Sequence, residues 1–213
     1  MQVEESHYTT GYDSPQRYLS YQHQIETVLA LKPQNHMEIG IGIGLVPWVL
    51  RRHGVQVTQV DIDPALKPDF VSDIRSLPFP DHSFDTIAAC EVSEHLPWDQ
   101  FDEIIKELHR VSRSHVILSL PHPGTWIDII VRYPGARVFL NRKPYSRISL
   151  TLPWKSTKIN DREHYWEIGL RGVNLKAVRT KLLRYFHIEA ESRPLLNRYH
   201  HFFHLRKRYT LEM

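Results

Sequence analysis

Cysteine is all but missing from this chain. A single thiol, Cys90, excludes a disulfide framework and a thiolate-rich zinc site. No apolar run approaches the roughly 20 residues of a membrane-spanning helix. Residues 1–12 carry Glu4 and Glu5 and lack the basic start and apolar stretch of a signal peptide. There is no internal repeat and no low-complexity linker. The histidines form no H-E-x-x-H helix, and the acids show no clustering of the kind a magnesium site needs, so no metal is expected. The absences together predict a reduced, cytoplasmic protein.

What is present is enough for one packed domain spanning 1–213. Of 213 residues, 41% are hydrophobic and 24% charged, an ordinary balance for a folded chain. Fourteen histidines keep imidazole chemistry open. The net charge of +3 hides a division: up to Val131 there are nine basic and eighteen acidic residues, and from Arg132 onward eighteen basic and six acidic. Two surfaces of opposite sign suggest two different ligands, although a solvated basic face would give the same count.

Periodicity orders the chain. Residues 15–31 read as an amphipathic helix in an N-terminal extension (1–33), stopped by Pro33. Strand and helix signals then alternate over 34–121: strands at 36–39, 55–62, 69–71, 84–90 and 115–120, with helices at 45–53 and from Trp98 to Val111. Such alternation argues for a parallel sheet covered by helices. The stretch 64–68 leaves no room for a helix after the second strand. Residues 126–140 carry helical apolar spacing, and 141–172 are irregular, basic and aromatic. Asn174 is placed to cap a further helix. Residues 187–192 and 199–205 read as two strands closing the sheet antiparallel at one edge. The predicted fold is α/β: a Rossmann-like, doubly wound, seven-stranded sheet, mostly parallel, with an antiparallel C-terminal edge strand and a shortened connection after the second strand.

The sharpest local signal is Glu38-Ile39-Gly40-Ile41-Gly42-Ile43-Gly44 at the end of the first strand. Alternate glycines let a backbone turn tightly and approach a ligand closely. The spacing is not G-x-G-x-x-G, which speaks against a dinucleotide. Asp61 ends the second strand, Asp73 follows the third and Glu91 the fourth. Each acid stands at a strand's carboxyl end, where open α/β sheets bind ligands, and Asp61 is placed to accept from a ribose diol.

These residues carry a resemblance. E-I-G-I-G-I-G at Glu38–Gly44, V-D-I-D-P at Val60–Pro64, D-I-R-S-L-P-F-P-D-H-S-F-D at Asp73–Asp85 and E-V-S-E-H-L-P at Glu91–Pro97 resemble class I S-adenosylmethionine-dependent methyltransferases, in the branch of the ubiquinone/menaquinone methyltransferases. The likeness covers about 34–121. It implies S-adenosylmethionine as cofactor and S-adenosylhomocysteine as product. By that likeness Gly40, Gly42 and Gly44 cradle the methionine end, with Glu38 near its amino group. Asp61 and Ile62 lie at the ribose, Asp73 and Ile74 flank the adenine, and Glu91 and Val92 lie near the sulfonium. It also implies that 141–172 form a lid over the acceptor.

Methyl transfer is an in-line displacement, so alignment is the main demand, worth about 7–11 kcal/mol at best. An oxygen or nitrogen acceptor also sheds a proton; His122, His95 and His164 are the candidate bases, His122 and His164 foremost, while His95 is alternatively placed to cap the helix from Trp98. Arg142, Arg147, Tyr165 and Trp166 are candidate acceptor contacts, since guanidinium forks suit phosphate or carboxylate and aromatic rings stack on sugars or bases. The acceptor is expected to be an anionic small molecule, glycan or lipid. Residues 126–133 offer a peripheral membrane contact. RNA is disfavoured because no separate binding module exists, and a non-catalytic scaffold is disfavoured by the intact glycine loop with Asp61.

Overall fold

The computed structural model describes residues 14–132, 145–152 and 163–209. Helix α1 (Pro15–Ala30) starts at Ser14, whose hydroxyl accepts from the Arg17 N–H, with Pro15 at the first helical position. Strand β1 (Asn35–Ile39) leads through the glycine loop to α2 (Leu45–Arg52), and β2 (Gln56–Asp61) follows. A single 3-10 turn (Pro64–Leu66) replaces the helix usual at this point, as the two prolines require. Then come β3 (Phe70–Val71), β4 (Phe84–Cys90), two short turns, and α3 (Phe101–Val111), which runs directly into β5 (Ser112–Pro121). After the hairpin of β6 (Thr125–Arg132) and β7 (Tyr145–Leu152), the chain closes with α4 (Leu175–Leu182), β8 (Phe186–Ser192) and β9 (His200–Lys207). The Asn174 side chain caps α4 by accepting from the Ala177 N–H at 2.8 Å.

The main sheet has the order β3-β2-β1-β4-β5-β9-β8. All neighbours from β3 to β5 are parallel, and β9 runs antiparallel to both β5 and β8. The two C-terminal strands close the sheet as an antiparallel pair at one edge, as expected from sequence, with β9 lying inside β8. The burial of β9 explains this order: Phe202, Phe203 and Leu205 are all essentially inaccessible, whereas β8 exposes much of its length. Order reverses between β1 and β4, which opens a crevice above their carboxyl ends.

Each face of the sheet carries its own core. On one side Ile104, Ile105 and Leu108 of α3 and Val178 and Leu182 of α4 pack on Met37, Ile87, Val116 and Phe203. On the other, Val28 of α1 and Val46 and Leu50 of α2 cover Val57, Ala88, Ile117 and Phe202. The helices thus hold the glycine loop from both sides.

Two expectations fail. Residues 125–132 form a strand, not part of a helix over 126–140, and pair with β7 inside the stretch read as irregular. Ile127, Ile129, Ile130 and Val131 are β-branched and favour the pleated backbone. Trp166, expected to stack on an acceptor, is 1% exposed. It packs edge-on against Trp98 and Phe101, and its Nε1–H donates to the Leu96 carbonyl at 2.9 Å. It fastens 164–173 to the start of α3.

Trp166→Ala should cost about 3–5 kcal/mol, the range for deleting a buried large aromatic. Denaturant unfolding measures it. A loss under about 1 kcal/mol would return Trp166 to the accessible surface.

Candidate functional site

The site begins with backbone geometry. Gly40, Gly42 and Gly44 all have positive φ, at 76°, 49° and 74°. At Gly40 a side chain is excluded twice, because a Cβ would also overlap Cγ2 of Val92 in the loop after β4. The Gly40 N–H donates to the Val60 carbonyl at 3.0 Å, which ties the loop to the end of β2. Gly44 is the N-cap of α2 in the left-handed conformation and aims that helix's first N–H groups toward the crevice.

Asp61 finishes the loop. One carboxylate oxygen accepts from the Ile41 N–H at 2.9 Å and the other from the Asp63 N–H at 3.0 Å. Only 6% exposed, its carboxyl is pushed above the usual range by burial, against the lowering effect of those backbone donors. Beside it opens a cavity of about 220 Å³, lined by Gly40, Asp61, Ile62, Asp73, Ile74 and Val92, with Ser72, Arg75, His95 and Leu96. Asp73 is chelated by the backbone and guanidinium of Arg75, which holds its carboxyl below the usual range. Arg75 in turn donates to Gln100 at 2.8 Å. The cavity thus joins a buried carboxylate to an aliphatic wall, the chemistry of a ribose and a base.

Across Gly40 lies a second cleft, between the glycine loop and α1. Its lining includes Arg17, Ser20, Gln24, Glu38, Glu91 and His200. Glu38, 3% exposed, accepts from Gln24 at 2.5 Å and meets His36 Nε2 at 3.0 Å. A fixed buried carboxylate and a nearby guanidinium suit the ammonium and carboxylate of an amino acid. Cys90, beside them, is no nucleophile: burial, with Glu38 and Glu91 near, raises its thiol well above the ordinary value.

Beyond this cleft is a buried polar cluster. Glu91 sits at φ +55°, a conformation that costs a non-glycine residue about 1–2 kcal/mol. It accepts from the Ser119 hydroxyl at 2.7 Å, and burial raises its carboxyl to about 7. His200 Nε2 stands 3.7 Å from Glu91, and burial lowers that imidazole to about 3. His164 Nδ1 lies 3.0 Å from Glu167 Oε1, which also accepts from the Tyr199 hydroxyl at 2.7 Å. His164 Nε2 is 3.9 Å from Glu94, and its ring meets His95 edge-on at 4.9 Å. Glu94, His95 and His164 bring three ligand-type atoms within 4.8 Å of one another. The sequence hid this grouping, since seventy residues separate its halves.

His122 lies apart, stacked on His201 at 5.2 Å with the two Nδ1 atoms 2.9 Å apart. His201 is lowered to about 4 by burial and meets Glu191 through Nε2 at 2.9 Å. Arg193 donates to His122 and to the Arg198 carbonyl and lies over the Trp126 ring at 5.0 Å.

Of the residues singled out in the sequence, Glu38, Gly40, Gly42, Asp61, Ile62, Asp73, Ile74, Glu91 and Val92 line the two clefts, and Gly44 caps α2 beside them. His164 joins them and Tyr165, 40% exposed, lies beside it, whereas Trp166 belongs to the core. Arg147 stands on β7 opposite Ile130. Arg142 and residues 141–144 and 153–162 of the expected lid lie outside the described residues. Sequence reading missed Arg17, Gln24, Arg75 and His200, which reach the site from other elements. Only Arg75, two residues from Asp73, left a local signal.

Residues 37–120 match the family described as Methyltransferase domain. No curated protein matches the chain. Among solved structures it is similar to 1,6-didemethyltoxoflavin-N1-methyltransferase from Burkholderia thailandensis, bound to 1,6-didemethyltoxoflavin and S-adenosylhomocysteine (14% identity, 96% of this chain and 85% of that one, TM-score 0.61). It is also similar to magnesium protoporphyrin IX methyltransferase from Synechocystis with bound S-adenosylhomocysteine (15%, 94% and 90%, TM-score 0.60). A third is the N-methyltransferase NodS from Bradyrhizobium japonicum (14%, 92% and 99%, TM-score 0.56). At these identities the likeness is one of fold.

Glu91 predicts a pH effect. Its folded carboxyl titrates near 7 and its unfolded one near 4.5, so the stability it contributes is complete below 4.5 and is lost as pH rises to 7. Relative to Glu91→Gln, the wild type should lose up to about 1.4 kcal/mol per pH unit across that window and nothing further above it. Parallel stability profiles of the two proteins would refute a raised Glu91.

Proposed function

We propose that the chain, whose residues 37–120 match a methyltransferase domain, is a class I S-adenosylmethionine-dependent methyltransferase that methylates an oxygen or nitrogen of an anionic small-molecule, glycan or lipid acceptor. The observation that supports the reading is the meeting of two chemically different clefts at Gly40: one suited to a nucleoside, the other to an amino acid. The bound cofactor supplies a methyl group already activated by its sulfonium. Asp61 and Ile62 hold the ribose and Asp73 with Ile74 the adenine. Glu38 and Arg17 take the amino-acid end, the three glycines admit it, and Glu91 and Val92 border the sulfonium.

The acceptor's proton goes to a histidine. Glu167 is an acceptor already engaged by Tyr199, so His164 donates to it from Nδ1 and keeps its lone pair on Nε2. The paired carboxylate fixes that tautomer and stabilises the imidazolium that forms. His122 is the second candidate base, beside a cationic patch that favours an anion. Arg193, lowered to about 10 by burial and by Arg198, has no carboxylate within ion-pair distance among the described residues. Tyr165, Arg142 and Arg147 complete the proposed acceptor contacts.

Calorimetry with S-adenosylhomocysteine tests the cofactor assignment. Asp61→Ala should weaken binding by about 1.5–3 kcal/mol, because a charged acceptor is lost from the ribose. Unchanged affinity would remove Asp61 from the site. His164→Gln should keep cofactor affinity and lower methyl transfer to phosphorylated or carboxylated acceptors by about 100-fold or more. Full transfer by that variant would leave His122 as the base.

A further inference from the structure

Glu94, His95 and His164 form a cluster that the proposed reaction uses only in part. One ligand-type atom from each lies within 4.8 Å of the other two, and His164 Nε2 stands 3.9 Å from Glu94 Oε1. Two hydrogen bonds hold the sides of the cluster together. The Tyr165 N–H donates to the Glu94 carbonyl at 2.9 Å, and Trp166 Nε1–H to the Leu96 carbonyl at 2.9 Å. The 3-10 turn Ser93–His95 carries Glu94, which is wholly buried, and His95, which lines the cavity shared with Asp61 and Asp73. Behind His164, Glu167 meets Nδ1 at 3.0 Å and is itself held by the Tyr199 hydroxyl at 2.7 Å. That carboxylate fixes the tautomer with its lone pair on Nε2, the outer support usual for an imidazole that ligates a metal.

We propose that Glu94, His95 and His164 bind a divalent transition-metal ion, with zinc(II) the best match. Two imidazoles and one carboxylate form a nitrogen-rich set, which favours such an ion over magnesium or calcium, whose preference is for oxygen. Three protein ligands beside a cleft are the arrangement of catalytic zinc, in which a further position stays free for a substrate oxygen. A tetrahedral ion about 2.1 Å from its ligands sets them roughly 3.4 Å apart, so side-chain closure of up to about 1.4 Å completes the set. A dication also suits two wholly buried carboxylates, Glu94 and Glu167. No local motif announces the site, because Glu94 and His164 are seventy positions apart. One lone pair cannot serve an ion and a proton together. In the loaded protein Nε2 of His164 is a ligand, and the acceptor's proton falls to His122. This division of roles rests on the proposed function; the metal site itself does not.

Metal analysis tests it, on the full chain stripped with a chelator, reloaded with zinc(II) and desalted. The wild type should retain about one zinc per chain, and cobalt(II) in its place should show the visible bands of a four- or five-coordinate site. His164→Gln and Glu94→Gln should each weaken zinc binding by at least about tenfold in competition with a chelating dye. His164→Gln should keep the wild-type melting temperature and S-adenosylhomocysteine affinity, which separates a lost ligand from a lost fold. Wild type that holds no zinc overturns the proposal, as does undiminished binding by His164→Gln. Zinc lost with His122→Gln instead would move the ion to the His122–His201 pair and overturn it equally. Zinc binding without S-adenosylhomocysteine affinity would keep the metal site and remove the methyltransferase reading. Cofactor affinity without zinc would do the reverse.

Discussion

Everything at the site depends on a close approach that only glycine permits at position 40. Its backbone is bonded to the end of β2 and its Cα faces Val92 after β4, so three loops converge on one residue. Any Cβ would force β1 and β4 apart where the order of the sheet reverses. The two clefts exist because this junction is thin: one opens on the Asp61 side and the other toward α1. Asp61 reinforces the junction by accepting from the backbone of the loop itself. A single carboxylate thus supports the loop and lines one of the clefts, and its two backbone donors are what let it tolerate burial.

The second constraint is the desolvation of many ionisable groups together. Glu38, Glu94, His164, Glu167 and His200 are all buried, and Glu38 is held by Gln24 and His36 while Glu167 meets Tyr199 and His164. Tyr199 and His164 both meet one oxygen of Glu167, and Ser119 satisfies Glu91. Such a network stores protonation states away from their ordinary values, as the opposite displacements of Glu91 and His200 show. Displaced protonation at a cleft mouth is what acid–base work at neutral pH requires.

Much of this was legible in the sequence because the relevant signals were local. The glycine loop, Asp61, Asp73 and Glu91 each sit within a few residues of a strand end, so placing the strands placed the site. The N-cap Asn174 and the missing helix after β2 were readable for the same reason, through turn chemistry and proline. The β6–β7 ribbon was not, because an aliphatic run such as Ile127–Val131 satisfies a helical and a strand pattern equally. Its partner strand, Tyr145–Leu152, resolves the choice, and pairing across an intervening segment leaves no periodic trace. Trp166 was misjudged for a related reason: an aromatic residue in a polar stretch resembles a ligand contact until Trp98 and Phe101 are seen against it. The place of β9 between β5 and β8 is equally non-local.

The charge division of the chain acquires a physical meaning in this geometry. The carboxylates that line the two clefts, Glu38, Asp61, Asp73 and Glu91, all come from the acidic half, while Arg193 and Arg198 beneath the ribbon come from the basic half. On the proposed reaction the acidic side meets a cationic ligand, and the basic side an anionic one. Transfer removes the positive charge from the cofactor, so Glu38 and Glu91 then face a ligand with one charge less. In a desolvated site that loss weakens the attraction far more than it would in water. The same buried carboxylates that favour loading of the charged cofactor therefore favour release of its neutral product.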